Sequence, residues 1–176
     1  VLPIQQSHFM TVDTFTNTFG MLTVYFAVVI LTRPKPLLRD EAGQRRKLKV
    51  SDWLPYISFG VGLGMATASK INAASLALLL PAVELVRYFS LEHEQREAYR
   101  SFSWRMVLLT AVVSVFTFRL GQPYAFQGPG LLGVRFNQEW LAGLRTLQQQ
   151  STGNVDFPPA LQWTRRSLAF PYYNLV

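Results

Sequence analysis

His8 and Asp13 stand in the polar stretch QQSHFMTVDTF, directly ahead of the apolar run TNTFGMLTVYFAVVILT. A carboxylate with an imidazole close by can hold a divalent cation, and such a cation is a natural partner for a phosphate group. An ionisable side chain at the mouth of a membrane helix costs free energy unless it is hydrated or paired, which makes both residues functional candidates. Asp13 has a second reading as a helix cap, because aspartate is favoured at an N-cap and at the positive end of the helix dipole.

Two cations form the next candidate group. Lys70 and Arg119 each fall where an apolar stretch ends, and each can bind an anionic phosphate, one as a point charge and the other as a planar fork. Snorkelling to headgroups is the alternative for either. The third group lies in DFPPALQWTRR, where Asp156 and Phe157 precede two prolines and Gln162, Trp163, Arg165 and Arg166 follow. Aromatic faces beside amides and carboxylates suit a sugar, and guanidinium groups suit phosphate. Read without function, the same segment is a structured loop whose tryptophan anchors at a membrane interface.

The elements that must position these groups are apolar helices. Only 15% of the 176 residues are charged against 49% hydrophobic, and the apolar residues are clumped into long runs, as in a polytopic membrane protein. The expected architecture is an all-α transmembrane helix bundle with four spans, at about 13–32, 53–70, 72–89 and 105–120. Glycines at 60, 62 and 64 predict a close neighbour for the second span, and the turn into the third must be very short. An outer region, 122–176, follows the spans. It is expected to hold an amphipathic helix at about 137–150, capped by Asn137 and stopped by Gly153, and then the start of a further membrane segment.

Charge sets the expected orientation. Segments 33–52 and 87–105, the second a charged and helix-prone loop, hold eleven of the seventeen Lys and Arg residues, whereas 121–176 holds four, so the positive-inside rule assigns the first two to the cytoplasm. Asp13, Lys70, Arg119 and the 156–166 cluster then share the outer face of the cytoplasmic membrane. Glu84, near the inner end of the third span, is expected to reach water beside Arg87, and His93 to be solvated. The chain opens on Val1 and closes on YYNLV inside an apolar run, and it is expected to be an internal piece of a longer protein.

Several classes are set aside. With no cysteine in the sequence there is neither a disulfide framework nor a thiolate metal site. GVGLG lacks the Lys-Ser/Thr ending and the strand-turn-helix setting of a phosphate loop. The net charge of +7 has a topological explanation and no interleaved aromatics, which argues against nucleic acid as a partner.

QQSHFMTVDTF before a span, GLGMATASKINAASLALLLP across a tight hairpin, and QPYAFQGPGLLGVRFNQEWLAGLRTLQQQSTGNVDFPPALQWTRR together resemble the multi-spanning glycosyltransferases of the family 39 type. More narrowly they resemble the branch known as DUF2298 or YYY-domain membrane proteins. The resemblance covers nearly the whole chain, and its third stretch is the most specific. It implies a GT-C architecture, with an outward-facing site that takes a sugar from a polyprenyl-phosphate carrier and passes it to a saccharide, lipid or protein acceptor. In such enzymes an acidic residue on the first outer loop acts as base or metal partner and a second acidic motif follows. Asp13 fits the later position with His8 near it, while the first would lie upstream of Val1.

On this expectation the protein is a hexosyltransferase of the membrane. Asp13 and Asp156 are its catalytic carboxylates. His8, Lys70, Arg119, Gln162, Trp163 and Arg165 bind substrate, and His8 with Asp13 would hold a divalent metal such as Mg or Mn where one is used. A transporter or flippase for lipid-linked saccharides using the same outer residues is the alternative, followed by a non-catalytic membrane scaffold.

Overall fold

A computed structural model describes residues 12–34, 49–128, 133 and 135–151. The chain divides into two compact units, Val1–Pro123 and Tyr124–Val176. Unit 1 is built of α1 (Val12–Thr32), α2 (Val50–Ser69), a 3-10 segment (Ile71–Leu78) that continues into α3 (Leu79–Phe89), and α4 (His93–Gly121). Among the described residues the protein is all-α apart from one two-stranded ladder in unit 2.

Among the described residues three stretches, Asp13–Thr32, Ile71–Phe89 and His93–Gly121, are long and apolar enough to cross a membrane. The expected second span, now α2, has 20 residues but is not one of the three. Its composition explains why: glycines, Ser, Thr, Tyr, Trp and Pro lower its hydropathy. The same residues let it sit between neighbours, with Pro55, Tyr56, Phe59, Gly60, Gly62, Leu63, Gly64 and Ala66 all buried.

The glycines fix this packing. A Cβ at Gly62 would stand 2.8 Å from Thr23 Oγ1 on α1, and one at Gly64 would stand 2.6 Å from the Ser114 carbonyl and 2.7 Å from Thr117 Cβ on α4. Gly60 meets the Thr110 carbonyl in the same way at 2.9 Å. Small residues thus bring two helices onto α2 at backbone distance. Advancing along α2 from 60 to 64 moves up α4 from 110 to 117, so those two helices are parallel, while α1 runs against both.

Two prolines shape the connections. Pro55 has no N–H to give to the carbonyl of Ser51, one turn earlier. Arg33 Nη1, beyond the end of α1, donates to that carbonyl instead and ties the two helices together. Pro81 likewise cannot bond to Ala77, and the residues before it wind as a 3-10 helix of 8 residues, long for that geometry. The turn from α2 into this segment is Lys70 alone, in extended conformation, its N–H on the Ala66 carbonyl (2.9 Å) and its own carbonyl taking the Ala73 N–H (2.9 Å).

The charged stretch assigned to a loop at 87–105 is mostly helical. Only Ser90, Leu91 and Glu92 separate α3 from α4, and the 29 residues of α4 extend about 43 Å at 1.5 Å per residue, more than a hydrocarbon core requires. Its polar first turns continue the same rod. The core of unit 1 gathers Ala27 and Ile30 of α1, Phe59 and Leu63 of α2, Leu80 and Val83 of α3, and Phe102 and Met106 of α4.

Unit 2 begins in the 3-10 turn Pro123–Ala125 and holds β1 (Phe126–Gln127), β2 (Arg135–Phe136) and α5 (Gln138–Ser151). The strands pair antiparallel, Phe126 with Phe136 and Gln127 with Arg135, and Gly128 takes a φ of 133° that favours glycine. Asn137 caps α5 as its sequence predicts: Oδ1 accepts the Glu139 N–H at 3.0 Å. The same oxygen takes Gln127 Nε2 (3.0 Å), and Nδ2 donates to the Tyr124 carbonyl (3.1 Å), so one buried amide joins strand, turn and helix. Phe136 stacks between Phe126 and Trp140, with ring centroids 5.2 and 6.1 Å away. The Tyr124 hydroxyl donates to Glu139 Oε2 at 2.9 Å, and this hydrogen bond and the carboxylate's charge raise its pKa. Gly153, expected to stop the helix, lies outside the described residues.

Candidate functional site

Asp13 and Lys70, 57 positions apart, meet at one end of unit 1. Lys70 Nζ donates to Asp13 Oδ1 at 2.7 Å. The antiparallel course of α1 and α2 places the first turn of one beside the C-terminus of the other, and the one-residue turn holds Lys70 at the apex of the hairpin. Asp13 is the second residue of α1, within its first turn, and its carboxylate goes to Lys70 in the hairpin turn. The side chains remain 60% (Asp13) and 49% (Lys70) exposed, so the pair adds at most about 1 kcal/mol to the fold. Both side chains therefore remain reachable from outside the bundle while contributing little to its stability.

Arg119 lies at the same end. It is in the last turn of α4, where a Cβ on Gly121 would stand 2.8 Å from Ala68 Cβ in the last turn of α2, and its Nη1 donates to the Pro123 carbonyl at 2.9 Å. Of the sequence-predicted site, Asp13, Lys70 and Arg119 therefore share one end of unit 1. His8, Asp156, Gln162, Trp163 and Arg165 lie outside the described residues.

Among the described residues no group of three His, Asp or Glu side chains comes together, and of the expected metal pair Asp13 bonds Lys70 while His8 lies outside the described residues. What this end offers is a carboxylate and two cations, suited to an anionic group and to hydroxyls.

A second cluster, missed in the sequence, lies toward the opposite end of unit 1. Glu84 and Arg87 on α3 are 5% and 3% exposed, which corrects the expectation that Glu84 reaches water. Tyr56 of α2 donates to Glu84 Oε1 at 2.7 Å and Tyr99 of α4 donates to Glu84 Oε2 at 2.9 Å. Arg87 Nε donates to the Tyr99 hydroxyl at 2.8 Å, and the guanidinium stands 5.9 Å from that ring's centroid. Its Nη1 reaches the carbonyls of Ile30, Leu31 (3.3 Å) and Arg33 (3.0 Å), which the end of α1 leaves without intrahelical donors. Carboxylate and guanidinium are thus linked through a tyrosine. The available signal was two opposite charges three residues apart within LLLPAVELVRYF.

Comparison with family models, with curated proteins and with solved structures finds no match to this chain.

Proposed function

We propose that the protein is a membrane glycosyltransferase of the GT-C kind, which moves a sugar from a polyprenyl-phosphate donor to an acceptor at the outer face of the cytoplasmic membrane. The observation that carries this reading is the exposed Asp13–Lys70 pair with Arg119 at the same end of unit 1. In this proposal α1, α2, the 3-10 segment with α3, and α4 cross the bilayer four times, α2 crossing between its neighbours rather than against lipid. The Asp13 end then faces outward and the end carrying Arg33 faces the cytoplasm, where the positive-inside rule wants the basic segment after it.

The chemistry follows from the groups. Departure of the lipid phosphate develops negative charge, and cations held near the interface, out of bulk water, stabilise it. Lys70 and Arg119 take that role. When Lys70 turns to the phosphate, Asp13 is released to accept a hydrogen bond, and then the proton, from the acceptor hydroxyl as it attacks the sugar carbon. Asp156, Gln162, Trp163 and Arg165 are assigned to the sugar on their residue types.

Incubating membranes that contain the full chain with labelled polyprenyl-phosphate sugar tests the proposal. New glycosidic product is expected, lost in Asp13→Ala and Asp156→Ala at unchanged expression. Turnover that survives both substitutions removes the carboxylates from the mechanism, and absence of any product removes the transferase.

A second reading, a transporter for lipid-linked saccharides, draws on the 8-residue 3-10 segment Ile71–Leu78 within a span, since interrupted helices mark translocation sites. It predicts movement of the labelled lipid between leaflets with no new glycosidic bond.

A further inference from the structure

Unit 1 has one hard end and one soft end. At the Asp13 end α2 and α4 pack closely where Gly121 meets Ala68, but α1 and α3 are joined to them there by an exposed ion pair and a 3-10 segment, both inexpensive to rearrange. At the other end Tyr56, Glu84, Arg87 and Tyr99 draw on α2, α3 and α4, and Arg87 grips the last carbonyls of α1. Each Glu84 oxygen has its own tyrosine donor, and Arg87 is shared between a hydroxyl and the end of a helix. Withdrawing any one helix strands a charge among Phe59, Phe102, Val83 and Ile30.

We infer that the Glu84–Tyr56–Tyr99–Arg87 cluster is a latch that keeps this end of unit 1 shut, confining conformational opening to the Asp13 end. Tyr99 is the keystone, because its hydroxyl accepts from Arg87 and donates to Glu84. A bundle latched in this way admits substrate from one side only. The two ends of an alternating-access carrier must open in turn, and this one cannot without breaking every contact above.

The cysteine-free sequence makes the test direct. Val83→Cys probes the latched end and Ala73→Cys the opposite one, both at buried positions, with exposed Ser90→Cys as the reactive reference. The full chain in liposomes is treated with a charged maleimide on both sides of the bilayer. Val83→Cys is expected to resist labelling. Adding Tyr99→Phe, which keeps the ring and removes one hydroxyl, is expected to raise its rate roughly tenfold or more, as loss of a buried hydrogen bond raises the open population. Ala73→Cys should stay unchanged by Tyr99→Phe, which separates unlatching from general loosening. Arg87→Met is the second opening variant, and Tyr99→Phe alone decides if that protein does not fold. Labelling of Val83→Cys as fast as Ser90→Cys, unchanged protection with Tyr99→Phe, or equal rises at both probes overturns the latch. None of these readouts depends on sugar transfer.

Discussion

At the scale of single residues, the two charged groups of unit 1 answer to opposite rules. Lys70 is half exposed, so Lys70→Ala should cost less than about 1 kcal/mol of stability. If the transfer proposal holds, the same change should remove most of the activity. Thermal unfolding in detergent beside the product assay reads both, and a large loss of stability with activity retained would reverse the assignment. Glu84→Ala should behave in the contrary sense and cost about 3–5 kcal/mol, because Arg87 is left buried without its counter-charge. Glu84→Gln, which keeps an acceptor for one tyrosine, should cost less, and unfolding midpoints ranked the other way would reject the network. The sequence made Asp13 and Lys70 visible as ionisable groups where apolar runs end. It left the buried pair hidden, because the burial of Glu84 depends on Tyr56, 28 positions before it, and Tyr99, 15 positions after it. Both tyrosines read locally as ordinary helix residues.

At the scale of elements, the glycines of α2 predicted close approach, and contact distances now rank them. Gly64 faces the Ser114 carbonyl at 2.6 Å and Thr117 Cβ at 2.7 Å, whereas Gly62 meets one side-chain oxygen, Thr23 Oγ1, at 2.8 Å and backbone only from 3.3 Å. Gly64→Ala is expected to destabilise by about 1–3 kcal/mol, with a smaller loss for Gly62→Ala, measured by unfolding or by helix-pair cross-linking in micelles. Equal losses would show that α1 and α4 are held equally firmly against α2. The start of α5 was legible in capping chemistry, since Asn137 offers the cap that Glu139 uses. The first turns of α4 were legible in part: Glu94, Arg96, Glu97 and Arg100 favour helix and read as helix-prone, but their charge assigned them to a loop, whereas the rod simply continues through them. The 3-10 winding before Pro81 carried only a weak mark, one proline whose partner carbonyl lies four residues back.

At the scale of the whole chain, charge and hydropathy predict a direction across the bilayer, and the fold supplies places to measure it. Asn72, just past the hairpin apex, and His93, at the start of α4, are both exposed. An impermeant maleimide added to intact cells is expected to label Asn72→Cys and to spare His93→Cys until the membrane is opened. Labelling in the reverse order would turn the proposed site toward the cytoplasm and end the transfer proposal. All-helical class and apolar spans were legible because composition alone decides them. The central position of α2 was not, since its modest hydropathy reflects neighbours that only the folded bundle supplies.

The bond from Arg33 to the carbonyl that Pro55 leaves free fastens α1 to α2 on either side of the basic segment, closing a ring between positions 33 and 51. For a connection whose two ends are fixed in this way, added length is cheap in general, each doubling adding only about 0.6 kcal/mol. An epitope or small fluorescent domain spliced between Lys35 and Lys47 should therefore leave the bundle's melting point nearly unmoved. The same cargo spliced beside Lys70, where a single residue makes the turn, has no slack to take up and should tear the hairpin apart.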